Sequence, residues 1–212
     1  MNKRRLVLVN KAEARDALKN NEAFVRRLGE SQCEAVIFPL AAFASGKNRT
    51  KLAVLAEVAR QHGITVEAGG WDLSSLVPRR YFFFYKDSFR MVGGKRKKDH
   101  HFCPTSLDAI GIMRKEGKKL FQAATGIDVF HLWPDKGAEA AWCSCPTCRA
   151  FTAEEQARIA VNTAADILAL INPNASITYF EAPVDNCNIS LRKSIIKLDS
   201  VDENLYMENL AK

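Results

Sequence analysis

The chain has 212 residues, of which 47% are hydrophobic and 26% charged, and its formal net charge is +7. This length is enough for one sizeable core, and the composition is that of an ordinary globular protein. No run of about 18 apolar residues is present, which excludes a transmembrane helix, and the apolar run near the N-terminus is too short for a secretory signal. We therefore expect a cytoplasmic protein whose cysteines stay reduced.

The first part of the chain alternates between short β-branched runs and amphipathic stretches. Strands are predicted over residues 5–9, 35–40 and 64–68, with helices between them over 11–28 and 49–62. The glycines Gly29 and Gly63 follow the two helices, where a helix commonly ends. Such alternation is typical of a parallel sheet with right-handed crossovers.

Residues 73–104 interrupt this alternation with a long excursion, and loops of this length inside a compact domain are usually functional. Its aromatic block, residues 81–85, either forms a ligand-stacking surface or packs on the core, and packing is the expectation. Basic residues cluster at 79–80 and 95–98. Because no nucleic-acid motif accompanies them, we interpret them as solvated loop residues and expect no nucleic-acid partner.

The alternation resumes after the excursion. Helices are predicted over 107–124 and from the capping box at 152–155 to 171, and strands over 127–132 and 176–180. Five strands in a chain of this length are too few for a closed eight-stranded barrel, which needs at least about 200 residues. The expected fold is therefore α/β, with TIM-barrel-like parallel (β/α) units forming an incomplete barrel over residues 1–190 and a C-terminal tail over 191–212.

Several motifs between residues 35 and 183 resemble, in kind and in order, those of one bacterial (β/α)-barrel family. They are Gly69-Gly70, Gly94-Lys95-Arg96, Trp133-Pro134-Asp135, Cys143-Ser144-Cys145-Pro146-Thr147-Cys148 and Tyr179. The family, domain of unknown function 4838, looks like the barrels of glycoside hydrolases and often occurs beside carbohydrate-active modules. The resemblance therefore implies a carbohydrate ligand. Trp71 departs from the pattern, since the family tends to have His after the glycine pair.

The cysteines suggest a metal site. Cys143, Cys145 and Cys148 form a C-x-C-x-x-C cluster, and Cys103 is the natural fourth ligand for a structural Zn²⁺. The histidines are alternative ligands, namely His100, His101 and His131. A reduced setting favours metal over a disulfide. A metal-free group of small buried residues, redox chemistry and a disulfide are the alternatives.

Acidic residues follow three of the predicted strands, at the edge of the sheet where parallel α/β proteins carry their ligand chemistry. Glycoside hydrolysis uses two carboxyl groups, one of them with a raised pKa. Asp135 is the expected general acid, because nearby tryptophan rings raise a carboxyl pKa by desolvation. Glu181 is its expected partner. Substrate-binding roles are predicted for the remaining strand-end residues, Trp71, Asp72, Trp133 and Tyr179.

Two functions are consistent with these features. The first is a glycoside-hydrolase-type enzyme, or a degenerate relative that binds sugar without cleaving it. The second is a zinc-stabilised binding or scaffold protein whose basic loop, residues 86–98, faces an acidic partner. In either case His131, inside an apolar strand, is expected to be a satisfied core residue. The open edges of a partial barrel also predict a homo-oligomer or a tail that covers them.

Overall fold

The computed structural model describes residues 5–135, 142–180 and 187–198. Eight strands occur in these ranges: β1 (Leu6–Leu8), β2 (Ala35–Phe38), β3 (Thr65–Gly70), β4 (Met91–Val92), β5 (Lys95–Arg96), β6 (Val129–Leu132), β7 (Ser176–Phe180) and β8 (Ile195–Leu198). Six of them form one parallel sheet in the order β1-β2-β3-β6-β7-β8, and β4 and β5 form a separate antiparallel hairpin. The sheet curls into half a barrel, which confirms the predicted fold class.

The helices of the described ranges are α1 (Lys11–Ala17), α2 (Asn21–Glu30), α3 (Leu40–Ala44), α4 (Gly46–Gln61), α5 (Leu107–Ala123) and α6 (Ala153–Ala169). The single helix predicted over 11–28 is wrong, because the Asn20 side chain accepts from the backbone N–H of Ala23 and starts a second helix. The predicted capping box of α6 is present. Within the described ranges, every helix is too short or too polar to traverse a lipid bilayer.

The sheet gains a sixth strand that the sequence did not predict. β8 lies in the segment predicted as a tail, and its residues pair in parallel with those of β7. The strand is four residues long, Lys197 interrupts its apolar residues, and no helical pattern precedes it, so no periodic signal marks it as part of a (β/α) unit. The predicted self-association at the edges of the sheet stays a prediction.

Alternate residues of each strand point to opposite faces of the sheet. Phe130 and Ile177 belong to the main core, which the helices cover. A smaller cluster fills the concave face inside the half barrel and contains Trp133, together with Trp71 and Phe180. The rings of Trp71 and Phe180 stack with centroids 5.6 Å apart. The interior of the half barrel is therefore packed with aromatic side chains.

A buried polar row crosses the same concave face. His131 in β6 lies between Glu67 in β3 and Thr178 in β7, with 2.7 Å between each ring nitrogen and its oxygen partner. The indole N–H of Trp133 also donates to the Thr178 hydroxyl at 3.1 Å. His131 has its hydrogen-bonding capacity met inside the core, in agreement with the prediction for this residue.

The glycine pair at the end of β3 allows the strand to approach its neighbours closely. Gly69 and Gly70 have φ angles of +114° and +117°, which L side chains rarely adopt. A Cβ atom on Gly69 would lie 2.0 Å from the carbonyl oxygen of His131. These two residues therefore set the direction in which Trp71 and Asp72 leave the sheet.

Candidate functional site

The excursion between β3 and α5 folds over the carboxyl ends of β3 and β6. It contains three 3-10 helices, Leu73–Leu76, Arg79–Phe83 and Lys86–Ser88, followed by the hairpin of β4 and β5. The backbone N–H of Leu73 donates to the carbonyl of Trp133 at 3.2 Å, which ties the excursion to the end of β6. The excursion therefore covers one side of the sheet edge at which the strands have their carboxyl ends, and we call this the ligand edge.

Four cysteines meet in a buried cluster beside this hairpin. Their ligand sulfurs all lie within 4.8 Å of one another: Cys103, Cys143, Cys145 and Cys148. Cys103 comes from the end of the excursion, whereas the other three come from the loop between β6 and α6. The structure thus brings the four predicted ligands together in a group able to hold a metal ion.

The sulfur spacing fits a metal better than a disulfide. Cys103 Sγ lies 3.8 Å from Cys145 Sγ and 3.6 Å from Cys148 Sγ. Four sulfurs around a tetrahedral Zn²⁺ at about 2.3 Å are separated by about 3.8 Å, whereas a disulfide joins its sulfurs at about 2.05 Å. Hydrogen bonds from the Cys143 and Cys148 thiols hold the pKa of Cys103 well below its ordinary range. The donor set therefore suits a thiolate-bound ion.

Hydrogen-bond donors surround the sulfurs, as negatively charged thiolates require. The backbone N–H of Met91 donates to Cys143 Sγ at 3.3 Å, and the Arg96 guanidinium approaches the same sulfur at 3.8 Å. Within the loop, the N–H groups of Cys145 and Cys148 donate to the sulfur of the preceding cysteine at 3.5 Å each. Such contacts stabilise thiolate, the form of cysteine that binds metal.

Gln156 in the first turns of α6 fixes the backbone of the cysteine loop. Its Oε1 accepts from the N–H of Cys143 at 3.0 Å. Its Nε2 donates to the carbonyls of Cys143, Cys148 and Phe151 at 3.1 to 3.3 Å. The loop is therefore held to a rigid helix, which preorganises three of the four sulfurs.

The cysteine cluster also positions two rings that face the ligand edge. His101 precedes Cys103 by two residues, and Trp142 directly precedes Cys143. The two rings stack with centroids 4.1 Å apart and planes 15° apart. Burial lowers the pKa of His101 to about 4, with Asp135 opposing that shift and Arg79 adding to it. The imidazole is therefore neutral at physiological pH.

Asp135 lies within the electrostatic reach of these groups. Its Oδ2 is 3.7 Å from Nη2 of Arg79, and its side chain is 19% exposed. Several buried polar atoms here have no hydrogen-bond partner among the described residues: Oδ1 of Asp135, Nη1 of Arg79 and both ring nitrogens of His101. Buried polar atoms are almost always paired in folded proteins. This concentration of unpaired atoms indicates a place where a polar ligand or ordered water binds.

Asp72 provides a second carboxyl at the same edge. It follows β3, the strand next to β6, and its Oδ2 accepts from the backbone N–H of Leu40 at 3.1 Å. Burial raises the pKa of Asp72 to about 6, and the charge of Asp135 adds to that rise while the Leu40 hydrogen bond opposes it. The acid with the raised pKa is therefore Asp72, because it is the acid enclosed by the fold.

The raised pKa of Asp72 makes stability fall as pH increases. Between the unfolded value of 3.8 and the folded value of about 6, the folded protein binds more protons than the unfolded chain. Protonated Asp72 makes its full contribution to the free energy of unfolding below about pH 4, and that contribution is lost by about pH 7. The difference amounts to at most about 3 kcal/mol. We expect Asp72→Asn to remove this loss and to raise the unfolding temperature at neutral pH, measured by circular dichroism.

The control for this prediction is Asp128→Asn, an exposed acid before β6. His101 contributes with the opposite sign, because its lowered pKa adds stability as pH rises. The relevant quantity is therefore the difference between wild type and variant at each pH. An Asp72→Asn variant with the same pH profile as wild type would show that this carboxyl is not protonated in the folded protein.

The other sequence-predicted residues lie in different environments. Trp133 is fully buried in the aromatic cluster of the concave face, and Trp71 is half-buried beside it. Tyr179 points to the helix-covered face, where its hydroxyl donates to Glu154 at 3.0 Å, and its substrate-binding role stays a prediction. Glu181 lies outside the described residues, and its catalytic role stays a prediction.

Sequence reasoning did not predict that Arg79 lies beside Asp135 at this edge of the sheet. The pair Arg79-Arg80 was visible only as positive charge, and no spacing rule links it to Asp135, which is more than fifty residues away. His101 was considered only as a metal ligand. Its position beside Asp135 depends on the cysteine cluster, which joins two distant segments.

Comparison with solved structures supports the barrel assignment. Two structures of the pneumococcal protein StrH match over 92% of this chain, with TM-scores of 0.63 and 0.61 at 11% and 12% identity. One is described through the tandem GH20 catalytic modules of an exo-β-D-N-acetylglucosaminidase. A β-galactosidase from Bacillus circulans sp. alkalophilus matches over 84% of this chain with a TM-score of 0.55 at 14% identity. At these identities the likeness shows the fold alone.

The chain spans 58% and 57% of the two StrH chains and 36% of the β-galactosidase chain. No protein-family model matches the sequence, and no curated protein matches it. The incomplete (β/α)-barrel fold implied by the sequence is therefore confirmed. The narrower family stays a prediction.

Proposed function

We propose that the chain binds a carbohydrate at the carboxyl ends of β3 and β6 and hydrolyses a glycosidic bond there. The observation that carries this proposal is the pair of acids, Asp72 and Asp135, at the ends of adjacent strands. Parallel strands are about 4.8 Å apart, which is compatible with the separations of about 5 to 10 Å found in glycosidases. The unpaired buried atoms of Arg79 and His101 provide further hydrogen-bonding groups for sugar hydroxyls.

The different environments of the two acids suggest different roles. Asp72, with a pKa of about 6, carries a proton in weakly acidic solution and is the proposed general acid for the leaving oxygen. Asp135 faces Arg79 and is the proposed carboxylate, acting as base or nucleophile. This assignment changes the role expected for Asp135 from sequence, because burial acts on Asp72. Glu181 is retained as a candidate third carboxyl.

We further propose that the cysteine cluster binds a structural Zn²⁺. Four thiolate ligands close the coordination sphere and leave no open position for substrate, as in structural sites. The ion would therefore hold the excursion and the cysteine loop together while taking no part in the reaction. The ring stack of His101 and Trp142 depends on this connection, because each ring lies within two residues of a cysteine ligand.

Asp135→Asn is expected to lower kcat/KM by about 10² to 10⁴-fold without changing the unfolding temperature, because it removes the proposed base or nucleophile and keeps the shape of the side chain. Turnover is measured by fluorescence with methylumbelliferyl glycosides of N-acetylglucosamine and galactose, the sugars named for the structural neighbours. The same assay with Glu181→Gln tests the role predicted from sequence for that residue.

Asp128→Asn is the matched control, since it makes the same chemical change at an exposed position outside the site. Equal turnover by wild type and Asp135→Asn would contradict the assigned role. If the wild-type protein neither binds nor cleaves any glycan in a carbohydrate panel, the proposed function fails as a whole.

A further inference from the structure

Three aromatic side chains of the excursion are exposed beside the proposed site. Phe83, Phe84 and Tyr85 are 71%, 85% and 44% exposed, and we call them the aromatic platform. Only the first part of the aromatic block, Tyr81 and Phe82, packs against the core. The expectation that the whole block packs on the core is therefore wrong. Three neighbouring exposed rings are costly in water and commonly mark a binding surface.

Four lysines belong to the same segment as the aromatic platform: Lys86, Lys95, Lys97 and Lys98. All four are exposed, and none forms an ion pair with another described residue. The ammonium group of Lys98 lies 5.5 Å from the centroid of the Phe83 ring. Lys98 thus places a positive charge against the platform, and the other three unpaired lysines lie within the same segment.

This surface carries the charge imbalance of the chain. Residues 79–98 contain eight Lys and Arg and one Asp, a net charge of +7, and the whole chain also has a net charge of +7. The rest of the chain therefore has no net charge, because it contains 23 basic and 23 acidic side chains. A general preference for basic residues would spread over the surface, so the concentration in one segment requires a local reason.

The arginines of the segment are used differently from the lysines. Arg80, Arg90 and Arg96 form ion pairs with Glu116, Asp99 and Asp87 and so hold the excursion in place. Arg79 is the exception, because it pairs loosely with Asp135 and keeps its buried Nη1 without a partner among the described residues. One 3-10 helix carries both Arg79 and Phe83, and a rise of about 2 Å per residue separates them by about 8 Å.

One short helix thus connects the two acids, through Arg79, to the aromatic platform. From this connection we infer that the glycan bound by the protein extends from the two acids across the platform. We also infer that the glycan is anionic and carries carboxylate or sulfate groups. The inference rests on the proposed function and specifies its substrate class. The apolar faces of sugar rings pack on the aromatic side chains, and the lysines pair with the anionic groups along the chain. The free Nη1 of Arg79 meets a charged group of the sugar nearest Asp135.

Single-stranded nucleic acid has related chemistry, since bases also stack on exposed rings in basic grooves. The position of the platform favours the glycan, because its supporting helix leads directly to the paired carboxyls. A nucleic acid would place a phosphate of its continuous backbone at these acids, whereas the glycosidic oxygen of an anionic glycan is neutral and its charged groups lie on ring substituents that can reach Arg79 and the lysines. The two ligands are separated by experiment.

The test compares three probes of similar length by isothermal titration calorimetry: an oligogalacturonate, a neutral cello-oligosaccharide and a single-stranded oligodeoxynucleotide. The variant Lys86→Gln/Lys95→Gln/Lys97→Gln/Lys98→Gln removes the platform charge. Its control is Lys11→Gln/Lys47→Gln/Lys118→Gln/Lys193→Gln, which lowers net charge equally at exposed positions elsewhere. A double variant, Phe83→Ala/Phe84→Ala, removes two exposed rings.

The wild-type protein is expected to bind oligogalacturonate about tenfold more tightly than the neutral oligomer. The platform variant should lose that difference and the salt dependence of binding, while the lysine control keeps both. Equal affinity for the neutral and anionic oligomers would overturn the inference and leave the hydrolase proposal standing. Tighter binding of the oligodeoxynucleotide through the same lysines would overturn it in favour of nucleic acid. Binding of no probe would overturn it as well, and the turnover assay would then decide the proposed function separately.

Discussion

If the cluster binds Zn²⁺ as proposed, Cys145→Ser is expected to abolish that binding and to lower the unfolding temperature by roughly 10 °C, corresponding to a loss of about 4 kcal/mol. Serine preserves the size of the side chain but removes one of four thiolates. The remaining three sulfurs stay buried, but the fourth ligand is missing. The variant therefore loses the stabilisation that metal binding gives to the folded state. A sulfur 3.8 Å away on Cys103 ties this ligand to the other segment of the chain.

The measurements are the zinc-to-protein ratio by mass spectrometry and thermal unfolding with and without a chelator. Cys187→Ser is the matched control, because Cys187 is a free cysteine outside the cluster, and it should leave both measurements unchanged. Chelator should lower the unfolding temperature of wild type and of the control but not of Cys145→Ser. Wild-type protein that contains no metal and unfolds at the same temperature as Cys145→Ser would refute the zinc proposal.

Gly69→Ala is expected to destabilise the protein by at least about 3 kcal/mol, and Gly111→Ala to stabilise it by about 0.5 to 1 kcal/mol. The first substitution would place a Cβ atom 2.0 Å from the backbone oxygen of His131 at a φ of +114°. Because a neighbouring strand cannot move aside like a flexible side chain, β3 and β6 must separate. Gly111 lies inside α5 with no atom near its hypothetical Cβ, so alanine improves helix propensity there.

Chemical denaturation of the two variants measures both effects, and their opposite signs guard against a general effect of the added methyl group. Separation of β3 from β6 should also displace Asp72 from Asp135. If the chain hydrolyses glycans as proposed, we expect Gly69→Ala to lose that turnover even under conditions in which it stays folded. A folded Gly69→Ala variant with wild-type stability would mean that the strands approach each other less closely than described.

The sequence was most informative where one local pattern determines the outcome. The strand over residues 176–180 and the capping box that opens α6 follow from alternation and from side-chain capping, and both are present. The fourth cysteine of the cluster was also predictable, because Cys103 lies at the end of the excursion, before the strand that leads to the cysteine loop. The break between α1 and α2 was missed, since Asn20 gives the same polar signal inside a helix as at its start.

The candidate site was less predictable because it depends on contacts between distant segments. The hydrogen bond to Asp72 comes from Leu40 at the start of α3, and the polar row of Glu67, His131 and Thr178 requires three strands in register. The orientation of Tyr179 towards Glu154 depends on which face of β7 the helices cover. Residue types and spacing do not contain this information without the strand order.

The cysteine cluster joins segments that are 40 residues apart in the chain, Cys103 and Cys143. Closing a loop of that length carries an entropic cost that the folding chain must meet before the excursion and the cysteine loop can face each other. If the proposed Zn²⁺ joins them, we expect maturation in two stages, in which the half barrel forms first and metal capture then docks these two segments. Protein produced under zinc starvation would accumulate at the first stage, with its sheet formed and the two segments apart.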